Sequence, residues 1–253
     1  MSTDALDTGL AGRLAAIRQR ITSAATRSGR SPQAVRLVAV SKTFGADAVR
    51  AAYAAGQVDF GENRVQEALA KRADTADLPL RWHLIGPLQS NKANKVPGSF
   101  AGVQSVHSLD LLERLSRAAV AAAPDAPAGG PFGERPLPSN VVLPVLIQVD
   151  LAHEATKSGL DEADLRPLLS RARDLAGIRV EGLMLLPPYS DDPEQVRPWF
   201  RRLRELRDTL LAEGVPAEQL RELSMGMSHD FEVAIEEGAT IVRVGSAIFG
   251  DRR

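Results

Sequence analysis

Short apolar runs alternate with longer stretches whose apolar positions recur every three or four residues, and this alternation fills most of the chain. The short runs fall at 35–42, 57–61, 81–85, 102–106, 142–149, 179–185, 222–226 and 240–244, most of them flanked by glycine, proline or polar turns. Runs of this length predict strands buried on both faces, as in a parallel sheet. Helical spacing covers 46–55, 108–122, 162–175 and 193–213, the last with Val196, Trp199, Phe200, Leu203, Leu206 and Leu210 on its apolar face. A helix also precedes the first strand, with Leu10, Leu14, Ile17 and Ile21 on one side and Gly29 and Pro32 at its stop. About eight strand–helix repeats in 253 residues predict one α/β domain spanning 1–253, a (β/α)8 TIM barrel. The rival is a doubly wound open sheet, which usually needs fewer strands at this length. No Gly-x-Gly-x-x-Gly follows the first strand.

One stretch breaks the alternation. Residues 123–140 are rich in proline and glycine and cannot hold a helix, so a flexible surface insertion before the fifth strand is expected there. Composition narrows the function classes. With 31 basic and 32 acidic residues the net charge is −1, which gives no electrostatic case for nucleic acid or an acidic membrane. Cysteine is absent, so disulfides, thiolate catalysis and cysteine metal sites are excluded, in keeping with a cytoplasmic location. The polar start Met1-Ser2-Thr3-Asp4 lacks a secretion-signal pattern, and no apolar stretch is long enough to cross a bilayer.

Candidate chemistry sits where the strands end. The first run, Val35 to Ser41, stops on Lys42. A lysine there points into the mouth of an α/β fold, where desolvation disfavours the ammonium and favours a nucleophilic amine able to form a Schiff base. The plain alternative is a strand's exit into solvent. After the seventh and eighth strands come Leu223-Ser224-Met225-Gly226-Met227-Ser228 and Val244-Gly245-Ser246, glycines and hydroxyls where barrels often bind phosphate, at the start of a short helix. A simple tight turn at Gly245 is the other reading. Arg243 should face the barrel interior, since Val242 and Val244 take the opposite side. A buried guanidinium needs an acceptor, either an acid of the barrel such as Glu62 or an atom of a ligand. His83, His107, His153 and His229 show no metal-ligand spacing.

An amine for a Schiff base, a phosphate cup and an inward arginine together suggest pyridoxal 5′-phosphate. The segments Ala39-Val40-Ser41-Lys42, Phe60-Gly61-Glu62-Asn63-Arg64, Trp82-His83-Leu84-Ile85-Gly86-Pro87, Lys157-Ser158-Gly159, Leu223 to Ser228 and Val242 to Gly250 closely resemble the pyridoxal phosphate homeostasis protein family, itself similar to the barrel domain of alanine racemase. The match runs from about residue 10 to the end; the 123–140 insertion and His229 depart from it. The resemblance implies that Lys42 holds the cofactor as an internal aldimine. It also implies that Ser224, Ser228, Gly245 and Ser246 surround the phosphate, that Asn63 touches the cofactor's polar edge and that Arg243 faces the pyridine nitrogen. Glu62 and Gln89 could equally support the barrel.

The implied function is a carrier and buffer of the cofactor in vitamin B6 and amino-acid homeostasis, with little or no turnover and with apo-enzymes that need the cofactor as partners. A racemase of this fold also uses a tyrosine base from a second, all-β domain. The end at Arg253, soon after the eighth strand, predicts that this domain is missing, and with it much of a dimer surface, so a monomer is expected. Tyr53 and Tyr189 are the only tyrosines, and Tyr189 is expected at a surface loop tip. The rival functions are an amino-acid racemase using Lys42 and Tyr189, and a Schiff-base aldolase acting on a sugar phosphate.

Overall fold

The computed structural model describes residues 3–122, 142–153 and 158–250; the 123–140 insertion and Lys157 lie outside the described residues. Eight strands, β1 (Arg36–Val40), β2 (Asp59–Glu62), β3 (Arg81–Leu84), β4 (Gly102–Val106), β5 (Leu143–Val149), β6 (Ile178–Leu185), β7 (Glu222–Ser224) and β8 (Ile241–Val244), pair in parallel and in chain order, and β8 closes on β1. The helices are α1 (Thr3–Arg27), α2 (Ala46–Ala54), α3 (Val65–Asp74), α4 (Leu109–Ala122), α5 (Glu162–Ala172), α6 (Arg197–Ala212), α7 (Phe231–Glu236) and α8 (Ser246–Phe249). The barrel expected from the apolar runs is therefore present. Helices α3 and α7 are additions, since neither carries a long apolar stripe: α3 buries Val65 and Ala68, and α7 is six residues long. No helix is long and apolar enough to cross a membrane among the described residues.

Strand period two sorts every residue to the wall or the interior. Ala39, Phe60, Trp82, Leu84, Leu183, Leu223, Val242 and Val244 point outward into the large core between barrel and helices. Val38, Leu146, Met184 and Ile241 point inward and make a compact apolar layer across the barrel. That layer separates two ends. Above it lies the mouth at the carboxyl ends of the strands, and below it a smaller cavity at their amino ends. Helix α1 packs its Leu10, Leu14, Ile17 and Ile21 face inward and ends at Gly29, whose φ of 70° lets its amide turn back to Thr26 O at 3.0 Å.

Candidate cofactor site

Lys42 lies two residues past the end of β1 and is half-buried in the wall of the mouth, a cavity of about 810 Å³. Pockets of about 300–1,000 Å³ suit cofactor-sized ligands. The residues around Lys42 are fixed tightly. Ser41, fully buried, donates its hydroxyl to Glu62 Oε1 at 2.6 Å, and its carbonyl accepts from Lys71 Nζ at 2.7 Å. Lys71 Nζ also reaches Glu62 Oε1 at 2.6 Å. After Lys42 the chain turns through Thr43 at φ 72°, a left-handed conformation that a β-branched residue adopts only under constraint. Phe44 then stacks on Phe249 of α8 with centroids 5.2 Å apart, tying this turn to the loop after β8.

Arg243 faces the interior, as its strand position requires, and is 3% exposed. It donates to Ser224 Oγ at 2.5 Å and to Leu185 O at 2.9 Å. Among the described residues no carboxylate is within salt-bridge reach of it. Burial pulls the guanidinium down to about 10, against the charge of Asp230, so it is still cationic at neutral pH. Glu62, one acid partner the sequence offered, is not available. It is the last residue of β2, on the outward side with Phe60, and its partners are Ser41 and Lys71 between barrel wall and α3.

The loops after β7 and β8 are laced together. Ser228 Oγ accepts from the Gly245 amide at 3.1 Å and from the Ala247 amide at 3.4 Å. Ser246 is exposed on the same turn and lines the mouth. Gly245 lies against β1: a Cβ there would sit 3.2 Å from Val40 O. Gly226 takes φ 93°, which lets the chain pass Phe231 and Ala234 closely. Across the mouth, Asn63 is braced by Gly86, where a Cβ would fall 2.5 Å from Asn63 O.

The structure thus brings Lys42, Asn63, Ser228, Arg243, Gly245 and Ser246 into one cavity. Ser224 differs from its expected place at a phosphate. It is fully buried beneath the mouth, taking a hydrogen bond from Arg243 and giving its own hydrogen to Gln104 Oε1 at 2.7 Å. A serine pointing inward one layer below the strand end supports the arginine beside it. Sequence reasoning missed Lys71, Gln104, Met227 and the wall roles of Thr43 and Phe44. Of these, only a lysine nine residues after Glu62, in the stretch that forms α3, left a readable trace. His229 lines the mouth with its ring 5.1 Å from that of Tyr189. Tyr189 is 73% exposed, as expected of a loop tip, and gives its hydroxyl to Asp191 at 2.7 Å, which raises its pKa above the ordinary phenol value.

Comparison with known proteins sets this geometry in a family. The family model described as alanine racemase, N-terminal domain, matches residues 13–253. A pyridoxal phosphate homeostasis protein of Pseudomonas aeruginosa is 46% identical over 96% of this chain and 96% of its own length. One of Aquifex aeolicus is 42% identical over 95% and 97%. Among solved structures, PipY of Synechococcus elongatus PCC7942 with PLP bound is 40% identical, with a TM-score of 0.76 over 95% of this chain and all of that one. Alanine racemase of Streptomyces coelicolor A3(2), 23% identical, superposes with a TM-score of 0.64 over 94% of this chain and 59% of its own, a likeness of fold. With near-complete coverage by relatives well above 30% identity, and with the same barrel, this chain belongs to the pyridoxal phosphate homeostasis protein family.

Proposed function

We propose that this chain binds pyridoxal 5′-phosphate in the mouth of the barrel, holds it through Lys42, and carries and buffers it for apo-enzymes in the cytoplasm, with little or no turnover of its own. The observation that carries this reading is a buried guanidinium without a carboxylate, Arg243, sharing one cavity with an amine, Lys42. Ser224 and Leu185 meet two of its five N–H donors, which leaves the cation able to donate to an acceptor atom of a ligand in the same cavity. When bound, the cofactor supplies an aldehyde that condenses with an amine and a ring that draws electrons from neighbouring bonds.

The chain's own residues divide the work. Lys42 Nζ is the attachment point, and the Ser41–Glu62–Lys71 network fixes the peptide that carries it. The hydroxyl of Ser228, whose oxygen takes the Gly245 and Ala247 amides and whose hydrogen is left to donate, and that of Ser246 suit the phosphate, and Asn63 suits a polar edge of the ring. Ser224 orients Arg243. Arg243 can only donate, so it suits a ring nitrogen that carries no proton, which leaves the ring a weak electron sink. Tyr189 makes a poor second base, because its hydroxyl is already given to Asp191 and its pKa is raised.

Titration of the purified protein with pyridoxal 5′-phosphate and with pyridoxal tests the reading. The phosphorylated form should turn the protein yellow and bind markedly better; equal affinity would remove the phosphate cup. A colourless protein that splits sugar phosphates would favour an aldolase. Exchange of the α-proton of alanine into deuterated water should be negligible with loaded protein. Turnover on the order of 1 per second or faster would make it a racemase.

A further inference from the structure

Ser228 and His229 sit on the turn between β7 and α7. Asp230 closes that turn: its amide donates to Met227 O at 3.2 Å, and its Oδ1 accepts from the Met227 amide at 2.5 Å. The two consecutive side chains of Ser228 and His229 line the mouth together. Among the described residues of that lining, three can carry positive charge: Lys42, Arg243 and His229. Lys42 serves as the attachment amine, and Arg243 is held by Ser224 and Leu185. A phosphate monoester carries a charge of about −1.5 to −2 at pH 7, and hydroxyls and amides alone do not neutralise it.

The two ring nitrogens of His229 have different surroundings. Nε2 is closed off from solvent and faces Asp230 Oδ2 at 3.5 Å, and neither atom has a hydrogen-bond partner. Asp230 is 1% exposed, so a proton on Nε2 gives its second oxygen the donor it lacks. Nδ1 is the open nitrogen, on a side chain that is 32% exposed. In a neutral ring with its hydrogen on Nε2, Nδ1 is a bare acceptor. A second proton turns Nδ1 into a donor, and the carboxylate behind the ring matches the new charge. The other ionisable groups near the ring are Tyr189, 5.1 Å away with its hydroxyl given to Asp191, and Lys42 and Arg243 of the same lining. Glu232 of α7 is taken by Arg20.

We propose that His229 is a phosphate-binding residue of the mouth: it takes up a proton at Nδ1 and donates it to a phosphate oxygen, while Asp230 holds Nε2. The inference rests on the carrier reading and adds to it an affinity linked to one proton. That proton comes from solvent, and no other bond forms or breaks. A bound phosphate favours the imidazolium, so His229 strengthens binding fully below the ordinary imidazole pKa of about 6.5. The gain fades as pH rises well above that value.

Titration of the full-length protein and of His229→Gln with pyridoxal 5′-phosphate and with pyridoxal, at about pH 6 and about pH 9, tests this. At the lower pH the variant should bind the phosphorylated form about tenfold more weakly than wild type. At the higher pH the two proteins should bind it alike. Pyridoxal, which has no phosphate, should bind equally to both proteins at either pH, and this also shows that the variant keeps its site. His229→Lys, charged at both pH values, should recover most of the lost affinity and hold it at the higher pH. A loss of the same size at both pH values, an equal loss for pyridoxal, or no loss at the lower pH would overturn the proposal. A wild type that does not prefer the phosphorylated form would remove the phosphate cup itself, and this role of His229 with it.

Discussion

Every polar atom of Ser41 has a partner: its amide donates to Gly61 O, its hydroxyl to Glu62, and its carbonyl accepts from Lys71 and from the Phe44 amide. The residue before Lys42 is therefore held from both flanking elements, and the amine projects from a fixed base. Lys42 itself enters no described hydrogen bond or ion pair, so Lys42→Ala should fold with an unchanged melting temperature. Borohydride reduction of the loaded wild type, followed by peptide mapping, should place the cofactor on Lys42 and on no other lysine. Label on Lys92 or Lys95 would remove the assignment. The ion pair beneath is different, because the Glu62 side chain is 0% exposed and that of Lys71 12%. Lys71→Met leaves a buried carboxylate without its cation, and should cost about 3–5 kcal/mol in urea unfolding. A loss below about 1 kcal/mol would mean that the pair behaves like one on the surface.

At the scale of elements, the site is a set of strand ends pressed against one another. The turn after β8 runs along β1, and a Cβ at Gly245 would meet Val40 O at 3.2 Å and Val40 Cβ at 3.4 Å. Gly245→Val adds bulk beyond that Cβ, where β1 backbone cannot give way. The turn must shift, carrying with it the amide that binds Ser228. Cofactor affinity should fall at least about tenfold, while the circular dichroism of the barrel is retained. Affinity equal to wild type would show that this turn does not form the cup. The elements legible in the sequence were those with a continuous apolar run or a long amphipathic stripe. Helix α3, with two buried positions, was not, although it delivers Lys71.

Across the whole molecule, the interior apolar layer divides a mouth that suits the cofactor from a charged lower end. At that lower end, burial pushes the Asp59 carboxyl up, but hydrogen bonds from His83 and Arg81 outweigh it and hold it at about 2. A carboxyl depressed from 3.8 in this way stabilises the fold above its ordinary pKa, and the contribution vanishes as pH falls through the folded value. It amounts to at most about 2 kcal/mol, since Arg81 is largely exposed. The stability gap between wild type and Asp59→Asn should therefore close as pH is lowered from about 5 to about 2. A gap independent of pH over that window would show that Asp59 gains nothing from its charge.

The sequence by itself determined the barrel, the strand positions to within a residue or two, and the inward direction of Arg243, because apolar runs and the alternation of side chains along a strand are local properties. It also placed Lys42 at a strand end. The tertiary structure decided the partners. Strand β2 runs one residue further than its apolar run, which puts Glu62 on the outer side of the wall with Ser41 and Lys71. Ser224 joins Gln104, 120 residues away in the chain, because β4 and β7 both send side chains into the barrel. Pairings of this kind depend on how closure brings distant strands to one level. No periodicity along a single strand carries that information.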